Sequence, residues 1–88
     1  MYPHGVTPLA HDPNVLQAVS GFLVADARGR VVGRVEDAVP SDDGGRLTVK
    51  GGFPIRRRRV VPVSAIDEID TRSGVIALRV ERAALRAA

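Results

Sequence analysis

Glycine-closed turns set the limit on what this chain can fold into. From residue 21 onward its apolar stretches are short. A turn or breaker signal interrupts them about every 10–15 residues: Asp26-Ala27-Arg28-Gly29, Ser41-Asp42-Asp43-Gly44, Gly51-Gly52-Phe53-Pro54 and Thr71-Arg72-Ser73-Gly74. Three of these carry a small polar residue first and Gly fourth, the signature of a type I turn. Segments of this length leave no room for ordinary helices and suit strands.

The segments between the turns read accordingly. Phe22-Leu23-Val24-Ala25 is a short apolar run. The next strand runs from Arg30 to about Val39, but Val32 and Val35 are three apart and would fall on opposite faces of a regular strand. A bulge or sharp bend at Gly33 repairs the phase. Arg46-Leu47-Thr48-Val49-Lys50 alternates cleanly, with Leu47 and Val49 inward. A strand from about Arg57 to Val63 follows. Pro62 cannot donate a ladder hydrogen bond, so that end lies at an edge or a strand exit. Ser64-Ala65-Ile66-Asp67 resembles a capped 3₁₀ or helical turn, with Ile66 and Ile69 inward. Val75 to Val80 is the last strand, with Ile76, Leu78 and Val80 on one face. The fold expected is all-β: a small SH3-like antiparallel barrel of five to six strands over residues 21–80.

The ends differ from this pattern. Residues 1–20 hold three of the six prolines and both histidines. Within them Asp12-Pro13 looks like a helix start, with Val15, Leu16 and Val19 on one face and Gly21 as the stop. So short a helix needs a surface, either the domain itself or a second copy. Val15, Leu16 and Val19 are therefore the candidate self-association residues. Residues 81–88, Glu-Arg-Ala-Ala-Leu-Arg-Ala-Ala, predict a terminal helix or a frayed end, with Leu85 packing back.

Composition removes several functions. At 88 residues, one domain is the limit, and a deep substrate pocket is not expected. The absence of Cys excludes disulfides, a Cys-based zinc site and a thiol nucleophile. No secretory pattern opens the chain, and no aliphatic run is long enough to enter a membrane, so a cytoplasmic location without membrane insertion is expected. The net charge of +3 is uneven: residues 1–45 carry −3 and residues 46–88 carry +6. The excess concentrates at Arg46, Lys50 and Arg56-Arg57-Arg58-Arg59. Lys50 and Arg56 to Arg59 are the candidate binding residues for an anionic partner. On a regular strand Arg57 and Arg59 share the face of Val61, and Arg56 and Arg58 take the other. The aromatics are only Tyr2, Phe22 and Phe53, so base stacking has little support.

A family resemblance is carried by residues 22–80. Val32-Gly33-Arg34-Val35, with Asp37 two residues on, follows a strand and a Gly turn; it is similar to the aliphatic-Gly-basic-Val-x-Asp opening of PRC-barrel domains. Arg59-Val60-Val61-Pro62-Val63-Ser64-Ala65-Ile66 resembles that family's second landmark, a Val-Pro step followed by Ile. PRC-barrels occur in the photosynthetic reaction-centre H subunit, in the ribosome-maturation factor RimM and as short standalone proteins in bacteria and archaea. The resemblance implies a standalone barrel that binds protein or ribonucleoprotein partners and has no catalytic role. It makes Gly29, Gly33, Asp37 and Pro62 structural positions.

The residues themselves point the same way. His4 and His11 have no nearby acid beyond Asp12, so no metal site is expected. Asp42-Asp43 suits turn geometry, and Asp67-Glu68 would point to opposite faces of a strand. Ser64 suits a cap better than a nucleophile. The glycine pairs lack the setting and the Lys of a phosphate loop. Neither an enzyme nor a cofactor is expected. The function expected is a binding or assembly module with a protein partner, including a second copy of itself. The alternative is an RNA- or ribosome-associated barrel using Lys50 and Arg56 to Arg59.

Overall fold

The computed structural model describes residues 6–7, 18–42, 44–52 and 54–88. One sheet of eight strands contains β1 (Val6–Thr7), β2 (Leu23–Ala25), β3 (Val31–Val39), β4 (Arg46–Gly51), β5 (Arg57–Pro62), β6 (Ile66–Asp70), β7 (Val75–Leu78) and β8 (Arg86–Ala87). Their spatial order is β1-β6-β7-β2-β3-β4-β5-β8. The sheet curls into a small half-barrel around one aliphatic core. Six of the strands are three residues or longer, and β1 and β8 are two-residue additions at the two ends. Among the described residues all ladders but one are antiparallel: β2 and β7 run parallel. Parallel neighbours need a long connection, and here it is the whole β3-to-β6 stretch.

The bulge expected near Gly33 is present. Val24 faces Gly33 and Ala25 faces Val31, which leaves Val32 as the extra residue. That insertion lets Val32 and Val35 both face the core. A second bulge in β3 leaves Glu36 extra, and a third in β6 leaves Asp67 extra. Leu47, Val49, Val61, Ile66, Ile69, Ile76 and Leu78 are buried with Val24, Val32 and Val35, and no aromatic is among the buried residues described. Full burial of a side chain such as Leu47 or Ile69 stabilises by about 1.5–3 kcal/mol.

The turns differ in detail from their reading. Gly29 N–H donates to the Asp26 carbonyl at 2.9 Å, with Gly29 at φ +77°. Gly44 N–H donates to Ser41 O at 3.0 Å, while Asp43 lies outside the described residues. The last turn begins one residue earlier than read. Gly74 N–H donates to Asp70 O, and Asp70 Oδ1 accepts from Arg72 N and Ser73 N. The 3₁₀ turn covers Val63–Ala65, so Ser64 sits inside it, and Pro62 precedes it. Pro62 ends β5 beyond the Arg59 and Val60 pairing with β8, which makes it a strand exit.

Residues 81–88 form a 3₁₀ turn at Arg82–Ala84 followed by β8, which pairs with β5. A free sheet edge offers backbone partners that outweigh intrinsic helix propensity over so few residues. Leu85 packs against the core. At the other end, Val19 is fully buried in this chain's own core. It therefore offers no surface to a second copy. Val15 and Leu16, grouped with it for self-association, lie outside the described residues, as do His4 and His11.

Candidate functional site

Strand alternation divides the arginine run. In register, Lys50 on β4 faces Arg34 on β3 and Arg58 on β5, so three cations stand side by side across the outer surface. The Glu36 bulge places a carboxylate beside them. Glu36 Oε1 accepts from Arg58 Nε at 2.6 Å, and its Oε2 lies 4.0 Å from Lys50 Nζ. The Arg58 hydrogen bond holds the Glu36 carboxyl below its ordinary value and raises the Arg58 guanidinium, with Lys50 adding to the effect on Glu36. Arg56 joins this side, lining a groove of about 430 Å³ with Arg34, Lys50, Glu36 and Leu23.

Arg57 and Arg59 go to the other side. They line a second groove, of about 300 Å³, with Arg82, Val31, Pro54 and Ile55. Val31 is 54% exposed and Ile55 69% exposed, the large aliphatics most open to water among the described residues. Among the described residues no acidic one lines this groove. The five binding candidates thus do not form one stripe: Lys50, Arg56 and Arg58 lie on one side, Arg57 and Arg59 on the other.

Glycines lie where the grooves meet β3 and β4: Gly51 and Gly52 border both grooves, and Gly33 borders the first. A Cβ at Gly33, whose φ is +153°, would sit 2.3 Å from Lys50 O. One at Gly51 would sit 2.2 Å from Val32 O. The backbones of β3 and β4 can approach this closely only without side chains. Gly33 and Gly51 are thus the two positions at which β3 and β4 come together without side chains.

Arg82 was not among the site residues read from sequence. It is held from two directions. Its main-chain N–H donates to Asp26 Oδ2 at 2.8 Å, and its Nη1 donates to Val31 O at 3.3 Å. Asp26 is the buried polar residue of the described chain, 5% exposed, and its Oδ1 also accepts from Arg28 N and Arg30 N. The Arg82 hydrogen bond is the largest influence holding the Asp26 carboxyl below its ordinary value. An Asp at the first position of a turn signalled the local bonds, but a partner 56 residues away left no trace in the sequence.

Asp37 accepts from Ala38 N at 2.9 Å, which keeps it a local backbone position beside the bulge. Among the described residues no group of His, Asp and Glu is placed to hold a metal. None of their helices is long and apolar enough to cross a membrane.

No family model matches this chain, and no curated protein matches it. The fold is similar to the crystal structure of a 16S ribosomal RNA processing protein, RimM, from Pseudomonas aeruginosa, with a TM-score of 0.65 and 18% sequence identity. The match covers 85% of this chain and 49% of that one, so this chain spans about half the length of its neighbour. At that identity the likeness is one of architecture: this chain has a RimM-like barrel fold.

Proposed function

We propose that this chain is a PRC-type barrel acting as a non-catalytic binding and assembly module whose partner is a protein. One observation carries the reading: exposed Val31 and Ile55 share a groove with Arg57, Arg59 and Arg82. Aliphatic surface beside arginine suits a protein interface, where apolar contact and Arg hydrogen bonding work together. Phosphate contacts alone make no use of the aliphatic part. The family reading is supported by the positions of its landmarks, a bulge beside Gly33 and a strand exit at Pro62.

The test is capture from native lysate with the full chain as bait, with and without nuclease, for wild type and Val31→Ser/Ile55→Ser. Protein that survives nuclease and is lost with the double substitution is the expected result. Capture that vanishes with nuclease, or ignores the substitution, overturns the reading.

A second reading rests on the row of Arg34, Lys50 and Arg58, and on the RNA-processing role named for the RimM neighbour. Under it the chain binds RNA through that row and the rest of the arginine run. Glu36 within the row weighs against it, as does the position of Phe22, the one aromatic among the described residues, against the core. Replacing Arg57 and Arg59 by Ser would then weaken RNA binding and flatten its salt dependence. An absence of RNA binding at low salt ends this reading.

A further inference from the structure

We infer that the barrel rim takes an extended acidic protein segment that straddles the ridge formed by Val31 and Gly51-Gly52. This deepens the protein-binding reading and rests on it. Val31, Gly51 and Gly52 border both grooves, so the two grooves are neighbours across a shared divide. The two glycines carry no side chains, which keeps the divide low. On one side stand Arg34, Lys50 and Arg56; on the other stand Arg57, Arg59 and Arg82.

The complementary chain carries adjacent carboxylates, which alternation sends to opposite flanks of the ridge, next to an aliphatic residue. The carboxylates meet the two sets of cations, and the aliphatic residue covers Val31 and Ile55. An extended segment matches this better than a helix, because it can span a ridge while presenting side chains to both flanks. Glu36 refines the choice. It lines the first groove and already engages Arg58, so it opposes a continuous run of negative charge. Discrete carboxylates can avoid it; a polyphosphate backbone cannot. Arg82 is placed by Asp26 and by Val31 O, so part of the cation set is ordered before any partner arrives.

The experiment is fluorescence anisotropy on the full chain with three labelled probes. They are a peptide of Glu-Glu-Leu repeats, whose period of three puts glutamate on both faces of an extended chain, the same peptide with lysine for glutamate, and a polyuridine oligonucleotide of equal charge to the first. The acidic peptide is expected to bind, and to weaken as salt rises above about 0.1 M. Arg57→Ser/Arg59→Ser and Arg34→Ser/Arg56→Ser should each weaken it by roughly three- to tenfold. Arg57→Lys/Arg59→Lys should retain most of the binding, because the charge remains. Equal binding of the lysine peptide, tighter binding of the oligonucleotide, or a loss confined to one groove overturns the inference. Loss in the charge-preserving variant does so as well. Absence of peptide binding, with nuclease-resistant capture that still depends on Val31 and Ile55, removes this inference alone. Absence of both removes the protein-binding reading with it.

Discussion

The Asp26 carboxylate accepts three main-chain hydrogen bonds, from Arg28, Arg30 and Arg82, and so ties the first turn to the C-terminal segment. Those donors favour the charged form, Arg82 first, and hold the group below its ordinary value of 3.8. Because the folded-state value lies below the unfolded one, the stabilisation is complete above the unfolded pKa. It is lost as pH falls through the folded value. Asp26→Asn should therefore lower the melting temperature at neutral pH, with the gap to wild type narrowing in acid. Melting curves from pH 7 down to about 2.5 would check this, and a gap that stays constant across the range would refute it. Gly33 makes a second residue-scale prediction. Its φ of +153° and the Lys50 carbonyl facing it leave no place for a methyl group. Gly33→Ala should cost about 1–3 kcal/mol in chemical denaturation. A cost near zero would mean that β3 and β4 can separate without penalty.

At the scale of the element, β3 does most to build the site. Its first bulge turns both Val32 and Val35 into the core, and its second turns Glu36 toward Arg58 and Lys50. The chain spacing of two valines three apart betrayed the first bulge. Nothing in the local sequence betrayed the second, because Glu36 is an ordinary exposed residue whose partner comes from β5. Replacing it is a direct test of its role. Glu36→Gln removes a carboxylate that competes for Arg58 and Lys50, so an acidic peptide should bind the variant more tightly, by roughly two- to fivefold. Unchanged or weaker binding would show that Glu36 organises the row and does not occupy it. Strand β5 makes the complementary point. The two-residue period of a strand was enough to separate Arg57 and Arg59 from Arg56 and Arg58. The period alone did not say that Arg82 would join the first pair.

For the molecule as a whole, the buried aliphatics of the described residues form one core to which β2 through β7 all contribute, together with Val19 from the segment before β2. With one core, unfolding should be a single cooperative transition. Leu47→Ala, at a fully buried position on central strand β4, should cost about 2–5 kcal/mol without splitting that transition. Separate transitions by circular dichroism and by Phe22-region chemical shifts would contradict it.

Much of this architecture was present in local sequence. Turn glycines, alternating aliphatics and the proline at the end of β5 are short-range signals, and each acts through its own backbone geometry. They determined an all-β chain, the inward faces of β4 and β7, the bulge beside Gly33 and the division of the arginine run. Tertiary structure decided what depends on partners distant in sequence. It paired β2 with β7 in parallel, and it drew residues 86–87 onto the edge of β5 in spite of their helix propensity. It buried Val19, and it brought Arg82 beside Arg57 and Arg59 through Asp26. For the strand pairings the reason is the same. A sheet satisfies its backbone hydrogen bonds with whichever strand curvature brings alongside, and no local pattern records which strand that will be.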